Sequence, residues 1–200
     1  NPDAHPDHLG AWPADVFYRD VNGTWTDQLV TSTTASPPRT QNVPGDGKFD
    51  QSAVAGDVEL QVGRVDLSAM PSFSLIGNEE QLLRNYLDKD HGYRKKLFLP
   101  LKRAVIDDNF GYFSGEAFAS GGYRNFAPLV GSGNVTTADY VTSMNAGSYL
   151  WSYGCGGGSY TSAGGIGNPA AIAGATLQGV FTMLFGSYFG DWDIPDNFLR

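Results

Sequence analysis

Apolar side chains fall into a few short runs separated by glycine, proline and small polar residues. Val58-Glu59-Leu60-Gln61-Val62 alternates apolar with polar, the period-two pattern of a half-buried strand. Asp15-Val16-Phe17-Tyr18 predicts a shorter strand, followed by an oxygen-rich turn over 20–27. Asn78–Tyr93 carries the clearest helical period, with Leu82, Leu83, Tyr86 and Leu87 on one stripe. Asn78 is placed to cap that helix, and Glu79 and Glu80 sit at its positive end. Gly92 and Arg94-Lys95-Lys96 suit its C-terminus. Ala104-Val105-Ile106 predicts a strand running into Asp107-Asp108-Asn109. Glu116–Ala119 begins a short second helix, and Thr137–Met144 predicts a third, capped by Thr136 or Thr137. Tyr149–Tyr153 and Val180–Phe185 predict two more strands, the second buried because its apolar run is nearly unbroken.

Strands that alternate with helices predict an α/β fold, a mostly parallel sheet flanked by helices. In such sheets ligands bind beyond the carboxyl ends of the strands. Two glycine-rich segments, Gly154–Ser159 and Gly186–Trp192, each follow a strand and belong on that edge. Residues 1–14, rich in proline, read as a loop or linker, and 15–200 as a single domain. Thr31–Asp50, rich in Ser, Thr, Pro and Gly, reads as a surface insertion in that domain. The final Ile194–Arg200 resembles a Pro-initiated helix cut short, which suggests a piece of a longer protein.

Composition narrows the function classes. The 200 residues include 41% hydrophobic ones, enough to bury a core without staples. Asp plus Glu number 21 against 13 Lys plus Arg, a net charge of -8. Arg94-Lys95-Lys96 is the one basic cluster, so nothing tracks a phosphate backbone and no nucleic-acid partner is expected. No apolar run approaches the ~18 residues of a membrane span. Few lysines amid many Thr, Ser, Asn, Gly and Tyr point to an exported protein, extracellular or in the cell envelope.

The single cysteine, Cys155, rules out an internal disulfide and a cysteine-based zinc site. At a strand tip it is either a nucleophile or a buried thiol in a tight turn. As a nucleophile it would use backbone N–H groups of the adjoining glycines, Gly154, Gly156 and Gly157 among them, as an oxyanion site. Ser187 lies at the other strand end, outside any Gly-x-Ser-x-Gly elbow, with Asp191 just beyond. Asp107 and Asp108 alternate along a strand, so their side chains point to opposite faces and suit capping better than paired catalysis. Asp20, Asn22 and Asp27, with Thr24, are candidate Ca²⁺ ligands or members of an Asx-rich turn. Gly45-Asp46-Gly47-Lys48-Phe49-Asp50 is a weaker version of the same pattern. No cofactor is expected beyond such a Ca²⁺ ion. Trp12, Trp25, Trp151, Tyr160 and Trp192 leave a structural or glycan-contacting surface module as a further alternative.

The order of several segments resembles the gingipain-type cysteine peptidases, which have a caspase-like fold. The segments are Asp15–Gly23, Asp57–Val65 with its Gly63-Arg64 ending, the helix over Glu80–Tyr93, and the strand Ala104–Asp107. The resemblance covers Asp15 to Arg200, with Thr31–Asp50 as an insertion. It implies a catalytic histidine at the Gly154-Cys155-Gly156 position and a catalytic cysteine at Ser187. Both positions depart from the family pattern. A neutral thiol cannot take a serine's proton, and a thiolate would itself be the better nucleophile. The expected function is therefore a peptidase-fold module without the His/Cys dyad. It would bind a protein or peptide and work beside other domains of the same chain. A thiol-dependent hydrolase using Cys155 is the alternative.

Overall fold

The structure is a computed structural model and describes residues 12–28, 40–51, 53–110 and 117–200. The chain divides into two compact units, 1–64 and 65–200. Residues 31–39 of the predicted insertion lie outside the described residues, as do 1–11 of the predicted linker.

In the first unit, aromatic packing does the work that regular structure does elsewhere. Phe17 stacks on Phe49 with ring centroids 4.9 Å apart, and Trp25 packs against both at 5.8 and 5.5 Å. Such pairs contribute roughly 0.5–1.5 kcal/mol each beyond their buried area. The strand expected over 15–18 is instead a 3₁₀ turn, Val16–Arg19, with the Tyr18 N–H donating to the Asp15 carbonyl. The strand expected over 58–62 does not form, and the segment joins no ladder among the described residues. Glu59 and Leu60 donate only to the Arg19 carbonyl, and Val58 and Leu60 stay 47% and 49% exposed. Its alternation has no sheet to face, which is why a strand does not form.

The second unit holds the sheet. The helix α1 spans Glu79–Arg94, with the Asn78 side chain accepting from the Gln81 N–H, the cap that the sequence predicts. The strand β1 is Ala104–Asp108, and α2 is Ala117–Val130. Then come β2 (Val135–Thr137), α3 (Tyr140–Ala146) and β3 (Tyr149–Cys155). A small antiparallel pair, β4 (Gly158–Ser159) and β5 (Ser162–Ala163), precedes α4 (Pro169–Ala173) and β6 (Gly179–Phe185). The main sheet runs β2-β1-β3-β6 and every neighbour pair is parallel. This is the mostly parallel α/β sheet with flanking helices that the strand and helix order predicts.

Several boundaries differ from expectation. The helix predicted at Glu116–Ala119 runs to Val130, through Gly121, Gly122 and Pro128. The cap of α3 is Asp139, whose carboxylate accepts from the Thr142 N–H at 2.7 Å, not Thr136 or Thr137. Ile194–Arg200 forms turns rather than a helix. The largest difference is β6. It is not buried on both faces. It is an edge strand among the described residues, and Phe181, Met183 and Phe185 are 40–47% exposed.

Alternation along the strands divides the core in two. On one face Ala104, Ile106, Tyr153 and Cys155 pack against Phe126, Ala119 and Val130 of α2. On the other, Val105 packs with Tyr140 and Met144 of α3 and with Ile166 and Phe189. Among the described residues no helix is long and apolar enough to cross a membrane.

Candidate functional site at the strand tips

From β1 the chain crosses outward to β2, and from there back past β1 to β3. The carboxyl ends of β1 and β3 therefore flank the point where the strand order reverses, the usual ligand crevice of an open parallel sheet. Cys155 ends β3 there, paired in register with Asp108 on one side and Phe185 on the other. The sheet thus brings Cys155, Asp107, Asp108 and Asn109 to one edge.

Cys155 is fully buried. Its Sγ–H donates to the Asp108 carboxylate at 3.4 Å, and the same carboxylate oxygen accepts the Phe110 N–H at 3.1 Å. Burial pushes the thiol up to about 11, and the adjacent Asp108 charge pushes in the same direction. A reactive cysteine needs the reverse, a cationic neighbour that stabilises the thiolate. Tyr153, two residues back on the same face, is also pushed up, chiefly by burial. Asp107 points to the opposite face, as alternation predicts. It accepts from the Tyr140 N–H at 2.8 Å and from Asn109 Nδ2 at 2.7 Å. Burial also raises the Asp107 pKa, while the two hydrogen bonds lower it. Asp107 fastens the start of α3 to the tip of β1, and Asp108 holds the thiol.

Ser187 sits in the turn after β6 and is exposed. The tips of β3 and β6 do meet, through backbone. Gly156 N–H donates to the Phe185 carbonyl at 3.1 Å, and a Cβ on Gly158 would lie 2.1 Å from the Ser187 carbonyl oxygen. The Gly156 N–H proposed for an oxyanion site is thereby engaged within the sheet. The loop after β5 closes over the same edge, with Gly164 N–H donating to the Gly157 carbonyl at 2.8 Å. Gly154 faces Ile166 and Tyr140 on the other side of the sheet from Cys155. Asp191 is completely buried in the turns beyond β6, where its carbonyl accepts from Asn197 Nδ2 at 3.0 Å. The single imidazole among the described residues, His91, is exposed in the last turn of α1. Nothing at the strand tips among the described residues offers an imidazole to a nucleophile.

The Ca²⁺ candidates lie in the first unit, and their carboxylates hold backbone instead. Asp20 accepts from Gly23 N–H at 2.7 Å and Gly56 N–H at 2.6 Å. Asp27 accepts from Gly45 N–H at 2.8 Å and Gly47 N–H at 2.7 Å. Gly45 and Gly47 both have positive φ, which turns their two N–H groups toward one anion. Asn22 lies by Gly56, near Asp20, in the same loop. Among the described residues, no three His, Cys, Asp or Glu side chains gather in a metal-binding group. The aromatic residues considered for glycan contact, Trp12, Trp25, Trp151, Tyr160 and Trp192, are all half-buried. Trp151 is occupied by Phe126 and Phe181, at 5.4 and 4.9 Å.

The raised thiol makes a testable pH signature. A folded-state pKa of about 11 against an ordinary 9.0 means that the native state holds this proton more tightly than the unfolded chain. That contribution to stability is complete below the unfolded pKa and fades as pH rises through the folded one. The Cys155→Ala variant should therefore lose less stability than wild type between about pH 9 and 11, in urea melts across that range. Parallel melts for the two proteins would refute the raised pKa.

None of the family models, curated proteins or solved structures compared with this chain matches it.

Proposed function

We propose that this chain is a non-cleaving module of gingipain-like, caspase-like architecture that binds a protein or peptide as part of a longer exported protein. The observation that carries this reading is the state of Cys155. The only thiol in the chain is sealed in the core and donates to a carboxylate. At neutral pH it stays protonated, so the thiol itself supplies neither nucleophile nor base. The same observation disfavours a thiol-dependent hydrolase. Support for a peptide partner comes from β6, whose outer backbone edge pairs with no strand among the described residues. An exposed edge of this kind accepts an added strand.

The test is intact-mass labelling of the native protein with a peptide-based thiol electrophile and, separately, with a serine-directed fluorophosphonate. No stoichiometric adduct should form at Cys155 or Ser187 in the native protein, and Cys155 should label fully in denaturant. A one-to-one adduct on the native protein at either residue would sink the non-cleaving reading.

A further inference from the structure

On the face of the sheet away from Cys155, α3, α4, β6 and the C-terminal turns line a half-open pocket of about 290 Å³. Its walls are largely apolar, with Met144, Ile172, Leu177, Leu184 and Phe198 among them. A few polar groups converge on it. The Tyr140 hydroxyl donates to Thr182 Oγ1 at 3.4 Å, and Thr182 also shares a hydrogen bond with buried Ser152 at 2.9 Å. Two cations line the pocket, and no acidic residue does. One cation, Arg200, is already neutralised by Asp66 at 3.2 Å and held by Ser68. The other is Lys89 of α1. It is an exposed residue whose ammonium donates to the Gly179 carbonyl at 2.6 Å, at the pocket wall. Desolvation lowers the Lys89 pKa, as expected for an ammonium taken partly out of water without a counter-ion.

An apolar chamber with one uncompensated cation on its wall is complementary to a small amphiphile with an anionic head. We propose that this pocket binds a short-chain aliphatic carboxylate, its tail among Ile172, Leu177 and Leu184 and its carboxylate on the Lys89 ammonium. The volume sets the size. At roughly 30 Å³ per water-sized group, the pocket takes a molecule of about ten non-hydrogen atoms. The site is separate from the strand tips, and it stands whether or not the chain cleaves peptides.

Octanoate is the probe and 1-octanol its uncharged counterpart, titrated into the full chain and followed by methyl NMR and calorimetry. Octanoate should bind one-to-one and saturably, shifting the methyl signals of Ile172, Leu177 and Leu184, and 1-octanol should bind at least ten-fold more weakly. Lys89→Met keeps the aliphatic stem and should abolish the preference for the carboxylate, whereas Lys89→Arg should retain it. Leu177→Trp, which fills the chamber, should remove binding of both. Absence of saturable octanoate binding would overturn the proposal. So would equal affinity for octanoate and 1-octanol, a result that the wild-type protein alone can give if a variant does not fold. Shifts confined to methyls outside the pocket would also overturn it.

Discussion

In the Phe126→Ala variant, amides of β1 and β3 will exchange with solvent some two hundred- to several thousand-fold faster than in wild type. The size follows from where the ring sits. Phe126 is 2% exposed, on the face of α2 that covers Ala104, Ile106, Tyr153 and Cys155. Its ring lies 5.4 Å from that of Trp151, which in turn stacks on Phe181. Truncating a buried phenylalanine removes its transfer free energy and leaves a cavity, together about 3–5 kcal/mol. The sheet is parallel and its neighbours are fixed on both faces, so it has little room to collapse onto the void. Hydrogen exchange at Ile106 and Tyr153 reads the loss within the second unit alone. A change of less than about 1 kcal/mol would mean that α2 does not form the lid of this core.

Gly158→Ala should be nearly as damaging, for a different reason. The new Cβ would meet the Ser187 carbonyl oxygen at 2.1 Å and the Ser187 nitrogen at 2.3 Å. Both are backbone atoms, so no rotamer change relieves the clash, and the tips of β3 and β6 must separate. We expect a loss of about 3 kcal/mol, at the upper end of overpacking effects. The damage should concentrate on the Gly156 and Gly164 N–H groups, whose bonds to Phe185 and Gly157 close this edge. Gly157→Ala is the control, because a Cβ there meets nothing within 4 Å. Equal effects from the two alanines would show that the strand tips are not in backbone contact.

Where a segment's partners lie nearby, or its own composition dictates the outcome, the sequence is a reliable guide. The α1 helix has its stripe and its Asn78 cap written locally. The strands β1 and β3 begin as the short apolar runs Ala104–Ile106 and Tyr149–Tyr153 and end two residues later, at Asp108 and Cys155. Elsewhere the answer depends on distant residues. Gly121 and Gly122 argue against extending α2, yet Gly122 is required. A Cβ there would sit 2.8 Å from Tyr153, so the missing side chain lets the helix lie close on the sheet. The apolar run of β6 is the same whether two strands flank it or one, and strand order is not a local property. Val58–Val62 has the right alternation and no ladder to join.

At the strand tips, sequence places Cys155 and Ser187 on one edge but says nothing of what each touches. That Asp108 holds the thiol follows from the one-to-one register of β1 against β3, which pairs Asp108 with Cys155. Tyr153 was visible in principle, since it precedes Cys155 by two positions and shares its face. Lys89 was not, because its role comes from a fold contact with Gly179, ninety positions away in sequence.

The alternation of β3 has a consequence for mutational scanning. Trp151, Tyr153 and Cys155 face one chemical compartment, while Ser152 and Gly154 face the other. From Trp151 to Cys155 a residue-by-residue scan should produce a sawtooth of phenotypes, odd positions tracking thiol accessibility and even positions tracking the packing around Tyr140 and Thr182 beneath. Two properties of the molecule can thus change independently through substitutions at adjacent codons.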